Sequence, residues 1–337
     1  MVHSKVFQLL LAFIIFSCVN GYVRAQTEED IRRLQQRDRI YDKQLAKRSP
    51  SPLKTYFDEY EAVLKGRAHT PLTTSTVSTM LSTAQCVMQG DFHLAPQSQE
   101  MTINILEMMS AGEGHITVVL EWIDVSFQKE VDAYLANKYD DEKQMLLLEQ
   151  LKKDIHYETC WSFPWENYYP ILLAIKRLDA AVLLTDNRIH RPGIRVRDKE
   201  AAEAICKLHK EKPLERLLVV YGETHLLGSD HLSEKMAIGG FQPDIIMNGR
   251  NEKLFWRALE KYGKFDTMAF LDLGDLIFED GADPYKTSTL IYFLAGNPVD
   301  RKRARLMSSI IAKKRDASGK TKELLEDLEL LKKKSKE

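Results

Sequence analysis

Cysteine is scarce: four in 337 residues, with Cys18 near the N-terminus and Cys86, Cys160 and Cys206 widely and irregularly spaced. That spacing gives no disulfide framework and no zinc-type cysteine pair. Cys86 falls in an apolar run and reads as a small buried side chain. The nucleotide-cradling Gly-x-x-x-x-Gly-Lys-Ser/Thr loop is also missing, since Gly319-Lys320-Thr321 lacks the upstream glycine and lies in a charged tail. No Gly-x-Ser-x-Gly turn occurs, which argues against an ordinary serine hydrolase. The apolar run Val6 to Phe16 is shorter than the roughly 20 residues needed to cross a bilayer. No strong excess of one charge exists either, the net charge being -1. Residues 301–337 do hold thirteen Lys or Arg against six Asp or Glu, but acidic residues are interspersed, and a solvated helical face is expected there with no nucleic-acid partner.

What is present begins at the N-terminus. A basic start through Lys5 followed by Val6 to Phe16 reads as a secretory signal over residues 1–25, cleaved after Val23-Arg24-Ala25. A lipoprotein signal ending before Cys18 competes with it and would tie the chain to a membrane through a lipid anchor. Either predicts export, to the periplasm, outer membrane or wider cell envelope. Residues 26–52 form a charged spacer closed by Ser49-Pro50-Ser51-Pro52, where proline stops a helix. Residues 53–300 are expected to be one α/β domain, starting with an amphipathic helix through Leu53, Tyr56, Phe57, Tyr60, Val63 and Leu64. Residues 301–337 are expected to be a basic helical tail.

Two stretches organise the domain. Cys86-Val87-Met88 runs into Gly90-Asp91-Phe92-His93-Leu94, and Leu217 to Tyr221 runs into Gly222-Glu223-Thr224-His225-Leu226. Each is a strand-like segment ending at glycine, followed by an acidic residue and then, two places on, a histidine. Between them His115 to Glu121 is a β-branched run, the mark of a strand covered on both faces. Ala180 to Thr185 and Asp244 to Met247 read as further strands, and Met268 to Leu271 can add another. Helical patterns alternate with them, at 125–137, 140–156, through Ile175, at 200–212, 230–236, 252–262 and 285–295. Alternation of this kind predicts an α/β fold with a mostly parallel sheet flanked by helices, a duplicated strand-GxxH core and additional C-terminal helices. In such sheets strand ends share one edge, and ligands bind in the crevice outside it.

The chemistry at that edge has two readings. Asp91, His93, Glu223 and His225, with Glu121 at the end of a buried strand, offer mixed imidazole and carboxylate ligands suited to manganese, cobalt or zinc. Alternatively a carboxylate-oriented histidine serves as general base without metal, which makes His93, Glu121, Glu223 and His225 the candidate catalytic residues. His190 and His231 read as loop or cap residues with surface roles.

The order Gly90-Asp-Phe-His-Leu94, Val118-Val-Leu-Glu121, Trp165-Glu-Asn-Tyr-Tyr-Pro170, Leu183-Leu-Thr-Asp-Asn187 and Val219-Val-Tyr-Gly-Glu-Thr-His225 resembles the ChaN-like haem-binding uptake proteins. These belong with the Tiki and TraB proteases and the erythromycin esterases. The likeness spans roughly residues 70–250 and implies an α/β fold in which His93 and His225 are the paired histidines and Glu121 and Glu223 the associated glutamates. The commoner first motif has Glu where this chain has Asp91, one methylene shorter. By resemblance the chain binds haem, or a related small molecule, in iron uptake at the envelope. The alternatives are a metal-dependent hydrolase or protease, and an envelope scaffold with a vestigial site. Haem ligands or flanks are then sought at His93, His225, Tyr168 and Tyr169, although core packing is the commoner use of Trp161, Trp165 and Tyr169. Attachment would be noncovalent, because no Cys-x-x-Cys-His run occurs. A homodimer is among the assemblies expected.

Overall fold

The computed structural model describes residues 62, 65–67, 70–91, 93, 96–137, 141–161, 163–187, 193–228, 230–248, 270–276 and 288–293. The signal segment, Cys18, the spacer, the helices expected at 53–64 and 252–262, His190 and the basic tail lie outside these residues.

In chain order the elements are β1 (Thr70–Leu72), α1 (Thr74–Thr83), β2 (Cys86–Asp91), α2 (Pro96–Ser110) and β3 (Ile116–Asp124). After a 3-10 turn at Val125–Phe127 come α3 (Gln128–Ala136), α4 (Asp141–Asp154), α5 (Tyr157–Cys160) and α6 (Trp165–Arg177). Then follow β4 (Ala181–Asp186), α7 (Ile194–Glu211), β5 (Arg216–Gly222), a 3-10 turn at Glu223–His225, α8 (Leu232–Ile238), β6 (Asp244–Asn248), β7 (Phe270–Leu276) and β8 (Ser288–Phe293). They form an eight-stranded sheet in the order β1-β7-β8-β6-β2-β5-β3-β4. The five pairings from β8 across to β4 are parallel. β7 runs antiparallel to both β8 and β1.

The expected α/β class and mostly parallel sheet are therefore present. The segment read as a helix at 285–295 is instead β8 over Ser288–Phe293. Ser-Thr-Leu-Ile-Tyr-Phe is a short, β-branched and aromatic run whose apolar pattern suits either state, and pairing on both sides with β6 and β7 decides it. Among the described residues, no helix is long and apolar enough to cross a membrane.

Every residue of β2, β3 and β5 is buried, as expected of parallel strands covered on both faces. Alternation sorts their side chains between two cores. Val87, Val118, Leu120, Leu218 and Val220 join the cluster under α1, α2, α4 and α6. Cys86, Met88, Val119, Leu217, Val219 and Tyr221 join the cluster under α7 and α8. Burial pushes the Cys86 thiol pKa up, in keeping with a packing role.

Arg216 locks the opposite end of the sheet. Its buried guanidinium donates to the carbonyls of Leu81 (2.6 Å), Met109 (2.7 Å), Ala84 (3.0 Å) and Glu113 (3.3 Å). One side chain thereby ties the ends of α1 and α2 together, adding a second donor to the Leu81 and Met109 carbonyls, which also accept from the Ala84 and Gly112 amides.

Candidate functional site

β2 and β5 are neighbours, with Asp91 opposite Gly222 and Gly90 opposite Tyr221, so the two GxxH copies share one sheet edge, offset by a residue. The offset gives them different geometry. Asp91 is the last residue of its strand, whereas Glu223 already lies in the 3-10 turn. Each glycine makes room for the other copy. A Cβ on Gly90 would stand 2.6 Å from Cγ of Glu223. One on Gly222 would stand 3.0 Å from both Cε1 and Nε2 of His93, and 3.1 Å from Oε2 of Glu121.

In the first copy, the Asp91 carboxylate reaches its own motif histidine, with Oδ2 2.8 Å from His93 Nδ1. The one-methylene shortening is thus accommodated. The same oxygen accepts from the Tyr168 hydroxyl at 2.7 Å. Oδ1 accepts from Ser98 Oγ at 3.1 Å and from Gln99 Nε2. Asp91 is 4% exposed, while the His93 side chain keeps 22% of its surface. Trp161 and Phe163 pack against the His93 ring at centroid distances of 4.5 and 4.7 Å.

The second copy is a closed ionic cluster. His225 is 2% exposed, with Nδ1 bound to Asp198 and Nε2 3.3 Å from Glu121 Oε1. Glu121 Oε1 also accepts from Arg197 at 2.7 Å, and its Oε2 accepts from the Gly222 amide at 2.5 Å. Arg197 reaches on to Asp186 through Nε and Nη2. Burial alone would lower the His225 pKa, but the carboxylates of Glu121 and Asp198 outweigh it and push the value up to about 9. Burial likewise opposes the charge on Arg197, and Glu121 with Asp186 outweighs it, so that its pKa is raised.

Of the residues expected at the site, Asp91, His93, Glu121 and His225 are therefore gathered at one rim, and Glu223 lies buried beside it against Gly90. Tyr168 is fully buried, and burial first, then the Asp91 charge, raises its pKa well above the ordinary phenol value. Its hydroxyl donates to Asp91 at 2.7 Å. Tyr169 packs beside Trp165 at 6.1 Å and against the core, with no recorded contact to His93.

The arrangement does not fit a divalent ion on Asp91, His93, Glu223 and His225. Asp91 already accepts four donors, and both nitrogens of His225 face carboxylates. Among the described residues, no group of three or more His, Cys, Asp or Glu is placed to hold a metal. His93 differs from His225: its Nδ1 is held by the Asp91 carboxylate, and its Nε2 makes no hydrogen bond to the described residues.

Several side chains of the site carry no motif. Arg197 and Asp198 stand together near the start of α7, one gripping Glu121 within β3 and Asp186 at the end of β4, the other binding His225 and, at 3.1 Å, His231 Nδ1. The surface role expected of His231 is thus overturned: it is 5% exposed and held by Asp198. The signal available in sequence was spacing, because Asp198 continues the buried stripe Ala201, Ala202, Ile205 and puts a charge on a core face. Ser98 similarly stands in line with Thr102 and Ile105 on the buried side of α2.

Over residues 77–186 the chain matches the family described as haem-binding uptake, Tiki superfamily, ChaN. None of the curated proteins compared matches it. Solved structures similar to it include ChaN of Campylobacter jejuni with cofacial haem, at 11% identity, over 66% of this chain and 92% of that one, with a TM-score of 0.40. The type III effector HopBA1 is similar at 11% identity over 69% and 99% of the two chains, TM-score 0.41. The RRSP effector domain of a Vibrio vulnificus MARTX toxin is similar at 12% identity over 66% of this chain and 46% of that one, TM-score 0.37.

Proposed function

We propose that this chain, whose residues 77–186 carry the pattern of the ChaN-like haem-binding uptake proteins, binds haem or a closely related ligand through His93. One observation supports this above others: Asp91 holds His93 Nδ1 at 2.8 Å, so that Nε2 is the nitrogen left to meet a ligand. Histidine is a common axial ligand of haem iron, and bound haem would supply a redox-active, ligand-accepting iron. Trp161 and Phe163, both buried, hold the imidazole ring in place from its sides. His225, with both nitrogens committed, is assigned the structural role instead. The setting is the cell envelope, with the N-terminal signal directing export, and the task iron uptake.

The test is titration of haemin into the purified full chain. A Soret shift at micromolar haemin, weakened at least tenfold in His93→Ala and kept in Tyr168→Phe, is the expected result. No shift, or equal binding by His93→Ala, removes the reading. Fractionation of cells making the native chain tests the setting, and a wholly cytosolic product refutes it.

A hydrolase reading has one observation in its favour: an imidazole oriented by a buried carboxylate is also a general base. It would act without a metal, given the saturated donors. Turnover of an ester or peptide substrate that survives chelator and vanishes in His93→Ala would select it.

A further inference from the structure

Tyr168 and His93 converge on a single oxygen, Oδ2 of Asp91, at 2.7 and 2.8 Å. From this we propose that Tyr168, together with Gln99, is a positioning residue: acting through Asp91, which holds the hydrogen on Nδ1 of His93, it sets how strongly the other ring nitrogen donates to a ligand. The inference rests on the reading of His93 as the working group, and holds whether its ligand is haem iron or the proton of a water molecule.

The hydrogen assignments follow from donor and acceptor inventory. An ionised carboxylate only accepts. With Ser98 and Gln99 donating to Oδ1 and Tyr168 to Oδ2, the contact at Oδ2 from His93 is an Nδ1–H donation. The lone pair of the uncharged ring then sits on Nε2. Gln99 Nε2 also lies 3.5 Å from the Tyr168 oxygen, so the two donors brace each other around the carboxylate. Asp91 is 4% exposed and Tyr168 fully buried, so water does not dilute these bonds.

Two donors on one oxygen share its charge. Tyr168 withdraws density from Oδ2, which moderates the pull of Asp91 on the Nδ1 hydrogen. Removing the hydroxyl concentrates charge on Oδ2 and strengthens the His93 bond, giving the ring more imidazolate character and Nε2 more donor strength. Such outer partners ordinarily tune a ligating histidine. The tyrosine looked like a ligand or a haem flank by sequence; its position behind Asp91 makes it a regulator of the ligand instead.

The variants are Tyr168→Phe, which keeps the ring packed on Trp161 and Trp122, and Gln99→Met as a second removal of a donor. Near-UV circular dichroism establishes that each is folded. In the ligand-free full chain, imidazole nitrogen NMR is expected to show His93 in the Nδ1–H form. The Nδ1 hydrogen should move downfield in Tyr168→Phe, and back towards wild type when Tyr is restored. In the haemin-loaded chain, affinity should stay within about threefold of wild type, while the iron midpoint potential falls and the iron–histidine stretch rises. If haemin does not bind at all, the haem reading fails and the NMR result alone decides this inference. If haemin binds but neither variant moves the resonance, the potential or the stretch, Tyr168 and Gln99 are packing residues and the inference is overturned. An Nε2–H form of His93 in the wild type overturns it as well.

Discussion

Gly222 and His93 meet edge to edge, a Cβ at position 222 standing 3.0 Å from Cε1 and Nε2 of the imidazole. The backbone at Gly222 has φ -51° and ψ 141°, which any residue adopts, so the requirement for glycine there is spatial. Gly222→Ala is therefore expected to push the His93 ring aside. We expect about 1–2 kcal/mol of lost stability from overpacking, together with roughly tenfold weaker haemin binding. Urea denaturation and Soret titration measure the two. Unchanged binding in a folded alanine variant would show that the rim has slack and that the close approach is incidental.

His225 makes stability depend on pH in the alkaline direction. Its pKa is raised from 6.5 to about 9 by Glu121 and Asp198 working against burial. The folded state thus holds the proton more tightly than the unfolded chain. This contribution is fully present below about pH 6.5, declines as pH rises, and is gone above about pH 9. A shift of this size corresponds to at most about 3 kcal/mol. Urea midpoints measured at pH 6 and pH 9.5 should fall by part of that amount in the wild type, and less in His225→Gln. An equal slope in both chains would mean that His225 is not the group responsible.

The parts of this arrangement that sequence made legible are those that repeat or alternate. Val118, Val119 and Leu120 announced a doubly covered strand, and the two GxxH stretches announced a common sheet edge. The ionic cluster around Glu121 was half visible, since a carboxylate ending a buried strand had to be paired. Its partner was not, because Arg197 lies 76 residues away and a helix with six charged residues among its first ten looks solvated throughout. The metal reading came from residue types alone. It treated Asp91 and Glu223 as equivalent, and the one-residue offset between β2 and β5 makes them different: one binds its own histidine and the other turns back over Gly90. A short run such as Ser288–Phe293 carries no period long enough to choose strand over helix, so that choice falls to its neighbours in the sheet.

Arg197 joins three segments, β3 through Glu121, β4 through Asp186 and α7 on which it stands, with 16% of its side chain exposed. Replacing it with methionine keeps the stem and removes the fork, taking the guanidinium from two buried carboxylates and leaving Glu121 with His225 as its charged neighbour. Breaking a buried ion pair from one side costs about 3–5 kcal/mol, and Arg197→Met is expected in that range by urea denaturation. Arg197→Lys restores charge but not the fork and should recover less than half. A loss under about 1 kcal/mol would class the bridge with exposed pairs.

The far end of the sheet supplies the complementary test, because nothing there touches the rim. Arg216 donates to carbonyls of Leu81, Ala84, Met109 and Glu113, and its side chain lies buried among them. A lysine offers one charged head in place of a planar fork, so it can meet only some of these oxygens. The Leu81 and Met109 carbonyls keep their backbone donors when the guanidinium goes, so the loss is that of the charged-group hydrogen bonds themselves, about 1.5–3 kcal/mol for such a bond. Arg216→Met is expected to lose about 2–3 kcal/mol and Arg216→Lys about half of that, from urea denaturation. Haemin affinity in the folded Arg216→Lys variant should match wild type, since β2 and β5 run the full depth of the sheet between this anchor and His93. Loss of binding in a variant that keeps its near-UV spectrum would mean that the two ends of the sheet are coupled, and would move the anchor from scaffold to site.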